Sequence, residues 1–325
     1  MQVSKLSVLT TQIARKELTE EGVALLNLSL SALVDASEVF PSIIKTDLHA
    51  SILHIFATIL GTPSCQATVV PQSLPILKRF VSSLSSHSAH HAAESSTQIR
   101  ATVSRYLLIL KNAQKREFEA SLACEKNTIL ATTLLLSSAG FAFDAGDPLL
   151  KRFVDDLMDC LGNRMTSKVA AGCCRSLLLL PKKGAAEMAL TKHLLPQVLS
   201  FLANPSDVEG LDESRTVLAH ALVAMISTLP SPEQKLTGMK LIMPALLARA
   251  QKEGNQVYVE TAARLLEVAG VDAQGFRSVV EGMSGEQKAF MENVIKSGGA
   301  GQRRVVREER ESEEPSIALK MDFGA

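Results

Sequence analysis

From Leu149 to Leu161 the apolar residues Leu149, Leu150, Phe153, Val154, Leu157, Met158 and Leu161 recur at helical spacing, while Lys151, Arg152, Asp155, Asp156 and Asp159 take the positions between them. One apolar face repeating about every 3.6 residues predicts an amphipathic helix. Phe290, Met291, Val294 and Ile295 repeat the pattern near the end. Start signals agree with it. Asp147-Pro148 sets a capping acceptor before a proline at the first helical position, where the missing N–H costs nothing. Ser231-Pro232-Glu233-Gln234 reads as a capping box, as does Ser284 with Gln287. Gly61 and Gly270 follow apolar helical runs and are predicted to close them in a left-handed conformation. Sustained alternation between hairpin turns is missing from the pattern, so the prediction is all-α.

The helices recur in pairs of two kinds. One kind is amphipathic and carries a proline: Ser73–Leu84, His193–Leu202 and Leu241–Ala250. The other is apolar nearly all round: Thr97–Leu110, Thr166–Leu180, Glu213–Ile226 and Asn255–Ala269. Pro196 and Pro244 lie 48 residues apart, and two helices per period of roughly 40 to 50 residues predict an α-solenoid. A single helical hairpin cannot bury its own apolar face, so neighbours stack into a continuous core. Second helices are expected to line that core, with Ala170, Ala171, Ala219, Ala221, Ala262 and Ala263 allowing close backbone approach. First helices are expected to turn their charged face to water. Leu195→Asp is expected to cost several kcal/mol, as an unpaired buried charge does.

Composition narrows the picture. Apolar residues make up 46% of the chain and aromatic residues 4%, with no Trp; Leu, Ala, Val and Ile suit close helix packing more than an aromatic-lined pocket. Lys plus Arg equals Asp plus Glu at 34 each, which leaves no bulk charge to attract nucleic acid or anionic lipid. Cys65, Cys124, Cys160, Cys173 and Cys174 include no C-x-x-C spacing. They read as reduced thiols serving as small buried hydrophobes, in a cytoplasmic compartment. The first residues lack the apolar core of a signal peptide. The uncharged, strongly apolar stretch Asn127 to Phe143 falls short of a membrane span and reads as a buried helix and turn.

Breaks divide the chain. Ser82–Ser96, rich in Ser, Ala and His, reads as a surface loop, and Asn204–Glu213 as a shorter acidic one. The repeats are assigned to residues 1–297, and Gly298–Gly301 is read as a flexible hinge opening a charged tail, 298–325, whose Arg303–Glu314 stretch is expected to be disordered or a lone solvated helix. Within it Ile317, Leu319, Met321 and Phe323 alternate, the pattern of a docking peptide that binds a protein partner or folds back on its own repeats. Met1 stands almost directly inside an apolar helix. The chain is therefore expected to be the C-terminal part of a longer solenoid, or to meet a partner at that face.

Catalytic patterns are missing. His87, His90, His91 and Glu94 cluster, but in a loop and without a second Cys/His group, so no metal is assigned. His49, His54, His193 and His220 sit on predicted helices. Asp322-Phe323-Gly324 spells a kinase triplet without any accompanying kinase segment. Phosphate-loop, dinucleotide and nucleophile-elbow motifs do not occur, and nothing assembles a nucleophile, base and oxyanion donor. The expectation is no cofactor and no enzymatic activity.

Two resemblances sharpen the reading. A helix of the form L-L-P-x-φ-L-x-x-L followed by a small-residue helix resembles the HEAT repeat, and Arg100 in Gln98-Ile99-Arg100 stands where that repeat commonly carries an arginine. This covers roughly Pro71 to Ala269 and implies a HEAT/armadillo-type α-α superhelix. Tetratricopeptide-type hairpins stay open for the less regular ends. Gly285–Ala300, the charged spacer and Pro315–Ala325 resemble the C-terminus of the large HEAT-repeat accessory proteins of the AP-1 clathrin adaptor. That resemblance implies a scaffold for protein partners, clathrin adaptor complexes or their accessory proteins. It also implies traffic between the trans-Golgi network and endosomes, with only peripheral membrane association through partners. Asp322-Phe323-Gly324 is similar to peptides bound by adaptor ear domains, although only Ala325 follows it. A nuclear-transport or phosphatase scaffold is the alternative, since a fold does not fix a function.

Overall fold

The computed structural model describes residues 20–39, 46–86, 92–115, 119–181, 184–204 and 209–312. Among them every regular element is helical. In chain order these are α1 (Glu20–Val39), α2 (Thr46–Gly61), α3 (Val69–Ser86), α4 (Ala92–Gln114), α5 (Glu119–Ser138), α6 (Pro148–Gly162) and α7 (Ser167–Leu178). Then follow α8 (Ala185–Ala203), α9 (Asp212–Thr228), α10 (Pro232–Glu253), α11 (Tyr258–Val271), α12 (Ala273–Glu281) and α13 (Gly285–Ser312). Short 3-10 turns cover Pro63–Cys65, Gly140–Ala142 and Gly254–Val257. The chain divides into two compact units, residues 1–198 with 207–221, and residues 199–206 with 222–325.

Local signals fix several of these ends. Asp147 Oδ1 accepts from the Leu149 N–H at 3.0 Å, and Ser231 Oγ from that of Gln234 at 3.2 Å. Ser284 and Gln287 make the reciprocal box: Ser284 N–H donates to Gln287 Oε1 at 3.1 Å and Gln287 N–H to Ser284 Oγ at 3.2 Å. Left-handed closure is placed differently from the expectation. Gly61 and Gly270 lie inside helices, and positive φ occurs at Gly210 and at Gly254, where it ends α10. Gly61 is exposed at the end of α2, and a Cβ there would make only an ordinary contact, 3.5 Å from Ile109 Cδ1 of α4. Of the expected Ser82–Ser96 loop, residues 82–86 belong to α3 and 92–96 to α4, and 87–91 lie outside the described residues. Ser83 donates to the Phe80 carbonyl at 2.7 Å and Thr97 to that of Ala93 at 3.0 Å, so these hydroxyls are satisfied along the helix.

In the first unit α1 to α7 pack on next-but-one neighbours: α1 on α3, α3 on α5, α5 on α7, and α2 on α4, α4 on α6. The two rows join through α2–α3, α4–α5 and α6–α7. That is a two-layer stack of helical pairs. The expected division into two kinds of helix does not follow these layers, since proline-bearing α3 and small-residue α7 share one row. α5 shifts the alternation; its apolar and small polar residues surround the whole helix, so no face marks its layer.

The repeat period is visible in a set of polar contacts that join residues 42 to 48 positions apart. Asn27 donates to Gln72 Oε1 at 2.7 Å, Arg79 pairs with Asp35, and Arg100 Nε meets Asp147 Oδ2 at 2.9 Å. Ser167 and Ser214 hydroxyls bond at 2.7 Å, Lys168 pairs with Glu213 at 2.7 Å, and Gln197 donates to Asp155 at 3.0 Å. In the second unit Lys252 reaches Asn204 Oδ1 at 2.7 Å. Arg100 thus links neighbouring pairs through the same carboxylate that caps α6.

Prolines 75, 196 and 244 lie inside α3, α8 and α10. Each frees the carbonyl four residues earlier, at Pro71, Lys192 and Lys240. All three of those residues, and the prolines themselves, are exposed, on the side of the helix open to solvent. Of the six alanines expected in the core, Ala170, Ala171, Ala219, Ala221 and Ala262 are buried, whereas Ala263 is half-buried.

In the second unit α10 packs on α12 and α11 on α13. Met291 and Val294 are buried, and the Phe290 ring meets Tyr258 edge-on at 6.1 Å. The helix does not break at Gly298–Gly301 but runs on to Ser312. Gly298 is buried, and a Cβ on it would lie 2.6 Å from both Ala262 Cβ and the Tyr258 carbonyl oxygen. Its glycine serves a close helix crossing rather than a hinge. Gly298→Ala is therefore expected to destabilise the second unit by about 1–3 kcal/mol. Gly270→Ala, where a Cβ meets nothing within 4 Å, is expected to stabilise it by about 0.5–1 kcal/mol. Urea unfolding of the two variants checks the opposite signs.

Candidate docking surfaces

The groups that could do chemistry are mostly committed to the core. Cys65, Cys160, Cys173 and Cys174 are buried. Burial raises the Cys65 thiol above its ordinary range, pushes Cys160 up to about 12 and Cys173 to about 11, and raises Cys174 as well. Thiols held protonated in this way are poor nucleophiles. Cys124 is only half-buried. Iodoacetamide on the native chain is expected to label Cys124 first, at least about tenfold ahead of Cys160, Cys173 and Cys174, by peptide mass analysis.

Among the described residues the histidines do not assemble a site. His54 Nδ1 lies 2.6 Å from Arg105 Nη1 on the surface, and His49 packs edge-on against the Phe80 ring at 5.7 Å. His193 is half-buried and His220 exposed. His87, His90 and His91 lie outside the described residues, and Glu94 is exposed in the first turn of α4. Among the described residues no group of three or more His, Cys, Asp or Glu is disposed to hold a metal ion. A small apolar crevice between α2, α3, α4 and α5, with room for about one water molecule, is lined by Phe56, Leu60, Leu77 and Tyr106. Tyr106 is fully buried and burial raises its hydroxyl pKa, while Ser73 in the same cleft donates to the Val70 carbonyl at 2.9 Å. A hydroxyl in that state is no base.

What remains is surface. The two faces of α11 differ sharply. Thr261, Ala262, Leu265 and Val268 are buried, whereas Val259 and Leu266 are 39% and 54% exposed. Ala263 between them is half-buried and Gly270 beyond them exposed. These four fall at i, i+4, i+7 and i+11, one line along the helix. An outward line of Val, Ala, Leu and Gly is an uncovered apolar stripe where a solvated helix would carry charge. Glu267 borders it and is tied to Arg264 at 2.6 Å.

A buried ion cluster holds this helix in place. Arg249, near the end of α10, is 2% exposed. Its Nε donates to Glu253 Oε2 at 3.0 Å and its Nη1 to Glu260 Oε1 at 3.2 Å. The guanidinium thereby joins the last turn of α10 to the first turn of α11, across the Gly254–Val257 turn. This departs from the expectation that the charged residues of Leu241–Ala250 face water: two carboxylates neutralise Arg249 where it is buried. Leu25 and Leu28 of α1 form a second exposed apolar pair, at 50% and 68%.

Ile317, Leu319, Met321 and Phe323, singled out by their alternation, lie outside the described residues, as do residues 1–19. The α11 stripe was not foreseen. Asn255–Ala269 is apolar nearly all round, so its sequence carries no mark of the face left uncovered. Among the described residues no helix is long and apolar enough to cross a membrane.

Comparison with curated proteins finds no match, and neither does comparison with solved structures. A protein-family model does match: LAA1-like, C-terminal TPR repeats, over residues 146–308. The matched stretch begins just before α6 and ends within α13, on the far side of Gly298. Its description supports paired-helix repeats, the coarser part of the expectation, and names the tetratricopeptide rather than the HEAT type. With half its length matched and helical pairs stacked as the family's repeats require, this chain belongs to the LAA1-like C-terminal TPR repeat family.

Proposed function

We propose that this chain is a non-enzymatic scaffold in vesicle-mediated transport. It supports recruitment of the AP-1 clathrin adaptor in traffic between the trans-Golgi network and endosomes. The family match over residues 146–308 carries the reading, because that family is linked to the AP-1 adaptor. Helical-repeat families of this kind act typically by holding other proteins, and the buried, protonated thiols and committed histidines agree with a role without chemistry. In this reading the HEAT-like repeats of residues 1–297 form the scaffold. The C-terminal segment 298–325 presents Ile317, Leu319, Met321 and Phe323 to an adaptor subunit or adaptor accessory protein. The protein works in the cytoplasm, held at trans-Golgi and endosomal vesicles through its partners.

A pull-down tests this with the full chain and with a chain ending at Ser312, a cut that leaves α13 and the Gly298 crossing in place. AP-1 subunits are expected with the full chain and are expected to fall with the shortened one. Recovery of Ran or of a phosphatase catalytic subunit in their place contradicts the proposal.

A further inference from the structure

The α11 stripe is apolar, outward-facing and adjacent to the helix that leads to the end of the chain. Val259, Ala263, Leu266 and Gly270 extend over about 16 Å of helix axis at 1.5 Å per residue. α13 lies directly against α11, with Gly298 on Tyr258 and Ala262, and it ends at Ser312. Thirteen residues follow, 313–325. Extended, they reach about 40 Å at roughly 3.3 Å per residue, enough to turn back from Ser312 along α11. Their alternating residues Ile317, Leu319, Met321 and Phe323 would share one side of an extended segment about 20 Å long. That length and that apolar face match the stripe.

We infer that in the chain on its own the C-terminal segment 313–325 covers the α11 stripe, seating Ile317, Leu319, Met321 and Phe323 against Val259, Ala263 and Leu266. The tether makes even a weak contact effective, since a short linker supplies a local concentration on the order of millimolar. The same four side chains cannot serve the stripe and an outside protein together, so any partner that takes the peptide must first lift it from α11. This contact does not depend on the partner's identity.

Cleavage by a lysine-specific protease after Lys320 reads the contact in the full chain. Cleavage is expected to be roughly tenfold slower than in a free peptide of residues 313–325, because it tracks the fraction of open tail. Leu266→Asp is expected to restore the free-peptide rate. So is Ile317→Asp, which lies in the tail and leaves the helices untouched. The protection is expected to be unchanged by dilution. Cleavage of the wild-type chain at the peptide rate overturns the inference, and so does protection that survives both substitutions. Protection that fades on dilution overturns it too, by placing the peptide on a second copy. The assay contains no adaptor, so its failure leaves the AP-1 proposal standing, and a failed pull-down leaves this contact standing.

Discussion

Replacing Arg249 with alanine is expected to cost about 3–5 kcal/mol, the scale of removing one partner from a buried ion pair. The guanidinium is 2% exposed and meets two carboxylates, Glu253 and Glu260, that are themselves largely withdrawn from water. Alanine removes the guanidinium that joins them across the turn and leaves a cavity beside two negative charges. Arg249→Lys is expected to recover only part of the loss, because a point charge cannot present the separate Nε and Nη1 donors used here. The loss should appear as an earlier transition in urea unfolding followed by far-ultraviolet circular dichroism. A shift below about 1 kcal/mol would mean that the cluster contributes no more than an exposed pair.

The second large effect is expected at Leu194. The proline motif of α8 points to Leu195 as its core residue, yet Leu194 is 0% exposed whereas Leu195 is half-buried. Leu194→Asp places an unpaired carboxylate among Leu190, Val198 and the other buried residues of that face and is expected to cost about 3–5 kcal/mol. Leu195→Asp can turn its carboxylate toward water and is expected to cost about 1 kcal/mol. The pair separates the two positions cleanly. Equal losses would place the buried face one residue further along the helix.

Leu194 also marks where reading the chain unaided succeeds and where it stops. Signals within a few residues are legible. Asp147, Ser231 and Ser284 announce their helix starts because the capping bond closes on a neighbour two or three positions away. The period is legible as well, since repeating proline-bearing helices reflect repeating packing, and Arg100 proves to link successive pairs. Properties set by distant residues are not. In α8, Leu194, Leu195, Val198 and Leu202 are all apolar, so the buried face is chosen by what packs on it. α5 hides its layer for the same reason. Gly298–Gly301 has the composition of a hinge, yet the need for a hydrogen at Gly298 comes from Tyr258 and Ala262, some 40 residues earlier. Arg249 reads as a surface cation because its partner Glu260 lies beyond a turn. The apolar stripe of α11 is defined by the lack of a neighbour among the described residues, which no local pattern records.

The central claim is a first-unit stack in which each of α1 to α7 is held by a next-but-one neighbour. In such an array a lesion is felt by the helices that touch it and fades beyond them. Phe153 of α6 is fully buried, and Phe153→Ala is expected to cost about 3–5 kcal/mol. Native-state hydrogen exchange of that variant tests the claim most directly. Amides of α6 and of its packing partners α4 and α7 are expected to lose protection, while those of α1 and α3 keep theirs. Equal loss of protection in α1 and α3 would show one cooperative globule and contradict the account.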